Sequence, residues 1–223
     1  MASRRAAEKM ILDGRVSVDG EQATLGMSAD PDAQTIEIDG LPLSAPPEHV
    51  YIMLYKPRGY VTTMSDERGR SRTVGTLVDC GTRVYPVGRL DMASEGLLIM
   101  TNDGEAALAL THPRKLVDKA YRVTVEPASD EKIAALAAMG ELDGERIVPP
   151  GVDVLSRNGE RWRIEMVIHE GKNRQIRRMC EQQGMAVKRL KRVRIGELKL
   201  GMLSPGEWRY LDREETDYIK SLR

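Results

Sequence analysis

The chain has 223 residues, 41% of them hydrophobic and 30% charged, with a formal net charge of zero; this is ordinary globular composition, long enough for one large domain or a small one followed by a larger one. No apolar run approaches the roughly 18 residues of a membrane span, and the N-terminus MASRRAAEKM lacks the apolar core of a signal peptide. The two cysteines, Cys80 and Cys180, lie far apart, which argues against a disulfide framework and suits a reducing cytoplasm.

Ser3 reads as the N-cap of a helix through Leu12, with Ala6, Ala7, Met10 and Ile11 on one face and Gly14 as its stop. Arg15 to Val18 reads as a strand ending in the Asp19-Gly20 turn, and Thr35 to Ile38 as a second short strand. LPLSAPPEH (Leu41 to His49) has three prolines and no periodicity, so a linker is expected there. Beyond it come a strand from Val50 to Tyr55, broken by Lys56-Pro57-Arg58-Gly59, and a fully buried strand from Leu97 to Thr101, closed by the turn Asn102-Asp103-Gly104. Glu105 to Leu110 is a short helix stopped before Pro113. Tyr121, Val123 and Val125 share one face of a strand, as do Trp162, Ile164, Met166 and Ile168 of another. Ser129 caps an Ala-rich helix through Met139, and Asn173 caps one ending at Gly184. Strands, helices and hairpins mix without a βαβ rhythm, which predicts an α+β fold with a mainly antiparallel central sheet.

Charge is unevenly placed. Between Lys172 and Lys199 ten basic residues face only Glu181 and Glu197, so this segment carries +8 and the rest of the neutral chain −8. Such a concentration reads as an anion-binding face. Arg174, Arg177 and Arg178, at i, i+3 and i+4, form a cationic ridge on the last predicted helix. Phe is absent, and two Trp and seven Tyr leave the core to aliphatics and twelve Met, which argues against an aromatic base-stacking sheet.

Several chemistries find no support. His49, His112 and His169 are isolated, so no metal site is expected. Glu170-Gly171-Lys172 lacks the glycine and hydroxyl residue of a P-loop, and no G-x-G-x-x-G follows a strand. Both cysteines read as structural thiols.

One acid stands out. In VYPVGRLDMASEGLLIMTNDG, Val84 to Gly104, Asp91 sits at the seam between two apolar strands. An aspartate there caps a turn by default, and Tyr121 is by default a core residue. Burial disfavours a charged carboxylate and a cation within a few ångströms restores it, so such a residue calls for a fixed arginine. Glu95 offers a second carboxylate but reads as a surface turn residue.

GRLD followed by SEGLLIMTNDG, then KAYRVTV, then EGKNRQIRRM, resembles the RsuA/RluB/RluE/RluF family of ribosomal RNA pseudouridine synthases. The resemblance runs from Tyr55-Lys56-Pro57-Arg58-Gly59 to Gly206-Glu207-Trp208 and covers most of the chain after the linker. It implies a catalytic domain over residues 48–223 that isomerises uridine in ribosomal RNA without metal or organic cofactor, with Asp91 as its aspartate, Tyr121 as its active-site tyrosine and Arg177, which follows Gln175-Ile176, as the basic partner of Asp91. The carboxylate either attacks C1′ or removes a proton at C2′, and the residues do not choose. Family members flip the target base out, and Arg89 is placed to fill the vacated space. Phosphates fall to Arg174, Arg178, Lys188, Arg189, Lys191, Arg192 and Arg194. The ending RVRIGELKLGMLSPGEWRYL is more similar to RluB-like members, which act on 23S rRNA, than to those acting on 16S. SRRAAEKMILDGRVSVDG resembles part of an S4 RNA-binding domain whose usual first helix has no counterpart, so residues 1–47 are expected to form a truncated S4-like module and linker, with Arg4 and Arg5 as RNA contacts. A cytoplasmic monomer that meets rRNA free or in an assembling subunit is expected. The competing expectation is an rRNA-binding assembly factor without catalysis, which would need the basic face but not Asp91; a nucleoside hydrolase would instead release uracil.

Overall fold

A computed structural model of the chain describes residues 4–31, 33–44, 47–65, 69, 72–112 and 115–223. The chain divides into two compact units, Met1–Glu48 and His49–Arg223. Among the described residues no helix is long and apolar enough to cross a membrane.

In the first unit, helix α1 (Arg4–Leu12) keeps its predicted apolar side half-buried. It stops at Gly14, where the amides of Gly14 and Arg15 donate to the carbonyls of Ile11 and Met10, 3.0 Å in each case. The expected Ser3 cap lies outside the described residues. Strands β1 (Val16–Val18) and β2 (Glu21–Gln22) are joined by Asp19-Gly20, and β3 (Ile36–Ile38) and β4 (Leu41–Pro42) by Asp39-Gly40. All four turn residues have positive φ, the backbone that matches the twist of an antiparallel hairpin. The strands pair in the order β2-β1-β3-β4. The linker expected from Leu41 therefore begins later: Leu41 and Pro42 pair with Ile38 and Glu37 as an edge strand, a position that tolerates proline's missing amide.

The second unit carries β5 (Tyr51–Lys56), a 3-10 turn (Val74–Thr76), β6 (Tyr85–Val87), β7 (Glu95–Thr101), α2 (Gly104–Thr111), β8 (Lys119–Glu126), α3 (Asp130–Ala137), β9 (Glu141–Leu142), β10 (Glu145–Arg146), β11 (Gly151–Asn158), β12 (Arg161–Ile168), α4 (Gln175–Gln182), β13 (Ala186–Ile195), β14 (Leu198–Lys199), β15 (Trp208–Tyr210) and α5 (Arg213–Ser221). The central sheet runs β11-β12-β8-β13-β7-β5-β15, with β14 added to β13 and β6 to β7. It is covered on both faces at β5 and β7: Leu97 and Ile99 pack with Met53 and Ile219, while Leu98 and Met100 pack with Ile52 and Val74. That explains their uninterrupted apolar runs. On β8 and β12 only one face is buried, so Tyr121, Val123, Val125, Trp162, Ile164, Met166 and Ile168 gather against α3 and α4, and their sequence alternates. Ser129 caps α3 as expected.

Two helix starts differ from expectation. Asp103, read as turn chemistry, caps α2 by accepting the amides of Glu105 and Ala106 at 3.1 Å each, and it is buried. At α4 the cap position belongs to Arg174, in the left-handed region at φ 48°, not to Asn173. Buried Gln175 takes over part of the capping: its Oε1 accepts the Lys172 amide at 3.2 Å and its Nε2 donates to Glu170 at 3.2 Å. The predicted stop at Gly184 holds, with the Met185 amide donating to the Cys180 carbonyl at 2.9 Å.

Neighbouring strands are antiparallel except at one seam. There β13 and β7 run parallel and share only the pairs Lys191–Glu95 and Arg192–Gly96. A Cβ at Gly96 would stand 2.2 Å from the Arg192 carbonyl oxygen, and φ at Gly96 is 109°, so glycine alone lets the halves of the sheet meet. Gly96→Ala combines overpacking with backbone strain, and we expect it to cost about 2–5 kcal/mol. Thermal denaturation checks this: a melting temperature lowered by roughly 10 °C is expected, and an unchanged one would show that the seam yields without cost.

Candidate active site

The loop between β6 and β7 enters the sheet beside this seam, and its backbone is held carbonyl by carbonyl. Thr62 Oγ1 donates to the Leu90 carbonyl (2.7 Å) and accepts the Leu90 amide (3.2 Å). Lys56 Nζ donates to the carbonyls of Pro57 (3.1 Å), Asp91 (3.0 Å) and Ser94 (2.8 Å). The Gly59 amide donates to the Met92 carbonyl at 2.7 Å. Arg177 Nη2 donates to the Ala93 carbonyl (3.1 Å) and to Ser94 Oγ (3.4 Å). Every carbonyl from Leu90 to Ser94 thus has a donor. With its main chain fixed, Asp91 presents a carboxylate whose side chain is 32% exposed.

That carboxylate opens into a cleft of about 860 Å³ that Thr62, Tyr121, Arg174, Lys119 and Arg192 also line. Arg174 Nη1 stands 3.8 Å from Asp91 Oδ2. The ion pair expected for Arg177 therefore falls to Arg174, and the reason is local. Arg174 precedes the helix, and its left-handed backbone turns it away from the ridge expected with Arg177 and Arg178. Arg177, inside the helix, spends both Nη groups on main-chain and hydroxyl acceptors, the second being the Val187 carbonyl at 3.3 Å. Burial, and next the charge of Arg174, lower the Arg177 pKa from its ordinary value, while Asp91 opposes them. Arg178 is ion-paired with Asp143.

Tyr121 is buried on β8 between Met166 and Arg192, its cross-strand partners. Glu95, expected in a surface turn, opens β7 and is only 5% exposed. It accepts from Tyr55 Oη (2.9 Å) and from Arg189 Nε (2.6 Å) and Nη2 (3.2 Å). Burial would raise its pKa, but the Arg189 and Tyr55 hydrogen bonds hold it below the ordinary glutamate value. It is a structural carboxylate tied to strand β13.

The basic run of β13 is largely committed inside the protein. Lys188 lies 3.8 Å from Glu126, Lys191 stands over the Tyr55 ring at 4.6 Å, and Arg194 donates to the Gly196 carbonyl at 2.8 Å. Arg192, expected on the phosphate-binding face, is 4% exposed and donates through Nε to the Leu97 carbonyl at 2.8 Å. Its place opposite Tyr121 puts both on the sheet face that lines the cleft. Arg89 and Arg174 remain exposed at the cleft; Arg4 and Arg5 are exposed on α1. Burial pushes the Cys180 thiol up to about 12, which makes it an inert core group.

Sequence reasoning missed Lys56, Thr62 and Lys119. Lys56 has no accessible surface, yet it ends an apolar strand in a position that reads as a break. Burial is the largest influence on it, and Asp91 opposes the effect; the ammonium pKa drops to about 8.

Comparison with known proteins identifies the family. Residues 50–182 match the family model described as RNA pseudouridylate synthase. An uncharacterized RNA pseudouridine synthase of Aquifex aeolicus is 42% identical over 96% of this chain and 87% of its own length. The ribosomal large subunit pseudouridine synthase B of Bacillus subtilis is 37% identical over 100% of this chain and 92% of its own. A crystal structure of a pseudouridylate synthase superposes with a TM-score of 0.70 at 28% identity, covering 99% of this chain and 94% of that one. The chain belongs to the RNA pseudouridylate synthase family, enzymes that isomerise uridine within RNA.

Lys56→Met removes a donor from three carbonyls, of which that of Asp91 keeps the Ser94 amide at 3.0 Å while that of Ser94 is buried. A buried carbonyl left unsatisfied costs about 1–3 kcal/mol, so both the melting temperature and the turnover rate should fall. In the unsubstituted protein, raising the pH through about 8 deprotonates Lys56 and weakens the same clamp. A pH–rate profile should therefore show a descending limb there; a flat profile from pH 7 to 9 would show that the neutral amine holds the loop equally well.

Proposed function

We propose that this protein converts a uridine of ribosomal RNA, in the 23S rather than the 16S molecule, to pseudouridine, with Asp91 as the catalytic residue at the ribose. The observation that carries the proposal is the loop whose five consecutive carbonyls are all held while one carboxylate is left facing a cleft. Main-chain clamping of this kind fixes a reacting group within the small tolerance catalysis requires. The large-subunit assignment draws on the Bacillus subtilis relative and on the chain's RluB-like ending.

The target nucleotide leaves its stack at a cost of a few kcal/mol, which RNA contacts offset, and Arg89 at the rim fills its place. Asp91 attacks C1′ or takes the C2′ proton. In either course the N1–C1′ bond breaks with its electron pair staying on uracil. The base turns and C5 bonds to C1′, which displaces the Asp91 carboxylate from C1′ in the first course and draws the proton back from Asp91 to C2′ in the second. The C5 proton is then lost and N1 regains one. Tyr121 offers a flat face to the detached base and a hydroxyl for the C5 proton. Arg174 supplies the cation beside Asp91, and Arg177 acts as a positioning residue through Ala93 and Ser94. No step calls for a metal or organic cofactor. Arg174 at the rim and, on the S4-like segment, Arg4 and Arg5 take phosphates of rRNA met in the cytoplasm, free or in an assembling subunit, by a monomer. A non-catalytic assembly factor would have no use for the clamped loop.

The test is tritium release from rRNA carrying C5-labelled uridine, prepared from cells that lack the enzyme and supplied free or in subunits. Wild type should release tritium without free uracil, and Asp91→Asn should lose at least about a thousandfold in rate, the scale of losing a nucleophile or base, while binding RNA within a few fold. Full activity of Asp91→Asn would remove Asp91 from the chemistry. Release of free uracil would point to hydrolysis.

A further inference from the structure

Arg192 is the one cleft residue whose placement neither the fold nor the steps above explain. It is 4% exposed, its Nε is satisfied by the Leu97 carbonyl, its Nη2 is sealed off without a hydrogen-bond acceptor among the described residues, and Nη1, with no described partner either, is the nitrogen left to meet a ligand at the cleft wall. No described carboxylate forms an ion pair with it. Instead it raises the cost of two other buried cations: its charge lowers the pKa of Lys56 and of Lys119, after burial in both cases. An isolated guanidinium packed among ammonium groups destabilises a protein unless something anionic completes it. Its cross-strand pair with Tyr121 sets the two side chains side by side on one face of the sheet, and both line the cleft.

We infer that the Arg192 guanidinium is a substrate-contacting group that holds a carbonyl oxygen of the detached uracil and stabilises the negative charge the base carries once the N1–C1′ bond has broken. The inference rests on the reading of this cleft as the uridine site. Whether Asp91 attacks C1′ or takes the C2′ proton, the N1–C1′ electron pair passes to the ring and spreads over O2 and O4, so the base leaves as an anion in both courses. A fixed donor aimed at charge that exists only after bond breaking acts on the rate and hardly on ground-state binding. It also gives the base, severed from its sugar, an anchor beside the Tyr121 ring while C5 comes round to C1′. Lys119, whose Nζ donates to the Val117 carbonyl at 2.9 Å, adds positive potential at the same wall.

The experiment uses the full chain and two rRNA transcripts, one with C5-tritiated uridine and one with 5-fluorouridine, and measures single-turnover rates at saturating enzyme together with RNA affinity. Arg192→Met should slow tritium release about 100-fold, the usual effect of removing one such donor, with RNA affinity within about threefold. Arg192→Lys, which keeps the charge, should recover a large part of the loss. Fluorine stabilises the departing base as an anion, so the deficit of Arg192→Met in consuming 5-fluorouridine should shrink to about tenfold or less. A merely structural role would leave equal deficits on both substrates, and that result overturns the inference. So does wild-type turnover, which would mean that internal water completes the guanidinium, or a loss confined to RNA affinity, which would place Arg192 on a phosphate. If Arg192→Met loses its cooperative melting transition, Arg192→Lys carries the same two-substrate comparison. Asp91→Asn runs alongside: its full activity would discard the site reading itself, whereas its inactivity leaves the Arg192 result to be judged alone.

Discussion

Everything at the cleft depends on one buried ammonium. Lys56 ends a strand whose six residues are all buried, and among the described residues its ammonium is bound by no carboxylate, only by three main-chain carbonyls. Two of these belong to Asp91 and Ser94, so a charge placed by β5 fixes the approach to β7. The arrangement resembles a helix cap turned inside out, a cation satisfying several carbonyls that no regular element can satisfy. Its cost is visible in the fall of the Lys56 pKa to about 8. Removing it would leave the buried Ser94 carbonyl unpaired and the Asp91 carbonyl with the Ser94 amide as its donor, and the side chain the loop presents would lose its aim.

The seam between β7 and β13 is the second constraint, and it follows from the first. A sheet that stayed antiparallel throughout would close over this point. Here two antiparallel halves meet through only two parallel pairs, and the meeting requires the absence of a side chain at Gly96. The strands flanking the seam bring Tyr121 and Arg192 from one half and the Asp91 loop from the other. Arg192 there repels both Lys56 and Lys119. Stability alone would favour apolar residues there. Glu95 relieves part of this field but is itself committed to Arg189 and Tyr55. Of these cations Lys119 and Arg192 line the cleft, whereas Lys56 is sealed behind it.

The strands buried on one face were legible because their period is two: Tyr121 to Val125 and Trp162 to Ile168 read correctly residue by residue. Asp91 and Tyr121 were legible from their motifs, and both reach the cleft. Three things were not. Glu95 was taken for a surface residue because polarity predicts exposure, whereas Arg189, 94 positions away, allows its burial. Lys56 was taken for a strand break because nothing local announces that three distant carbonyls await it. Arg174 was placed on a ridge with Arg177 and Arg178 by helical spacing, but the helix begins one residue later and a left-handed backbone turns Arg174 toward Asp91. Each failure involves a long-range polar partner, which periodicity cannot encode.

The fate of the basic run sharpens the same point. Ten cations between Lys172 and Lys199 read as a face for RNA, but the structure uses several of them internally: Arg178 with Asp143, Arg189 with Glu95, Lys191 over Tyr55, and Arg192 beneath the cleft. A cation already paired with a carboxylate releases few counterions on meeting a phosphate, so such residues contribute little to salt-dependent affinity. Their concentration on α4 and β13 instead reflects where these elements lie, against the acidic side chains of β7, β8 and the β9–β10 turn. The chain's neutral net charge then has a structural meaning: much of the positive segment is neutralised by the fold, while Arg89, Lys119, Arg174 and Arg192 set positive charge along the cleft, where a flipped nucleotide and its adjoining phosphates would enter.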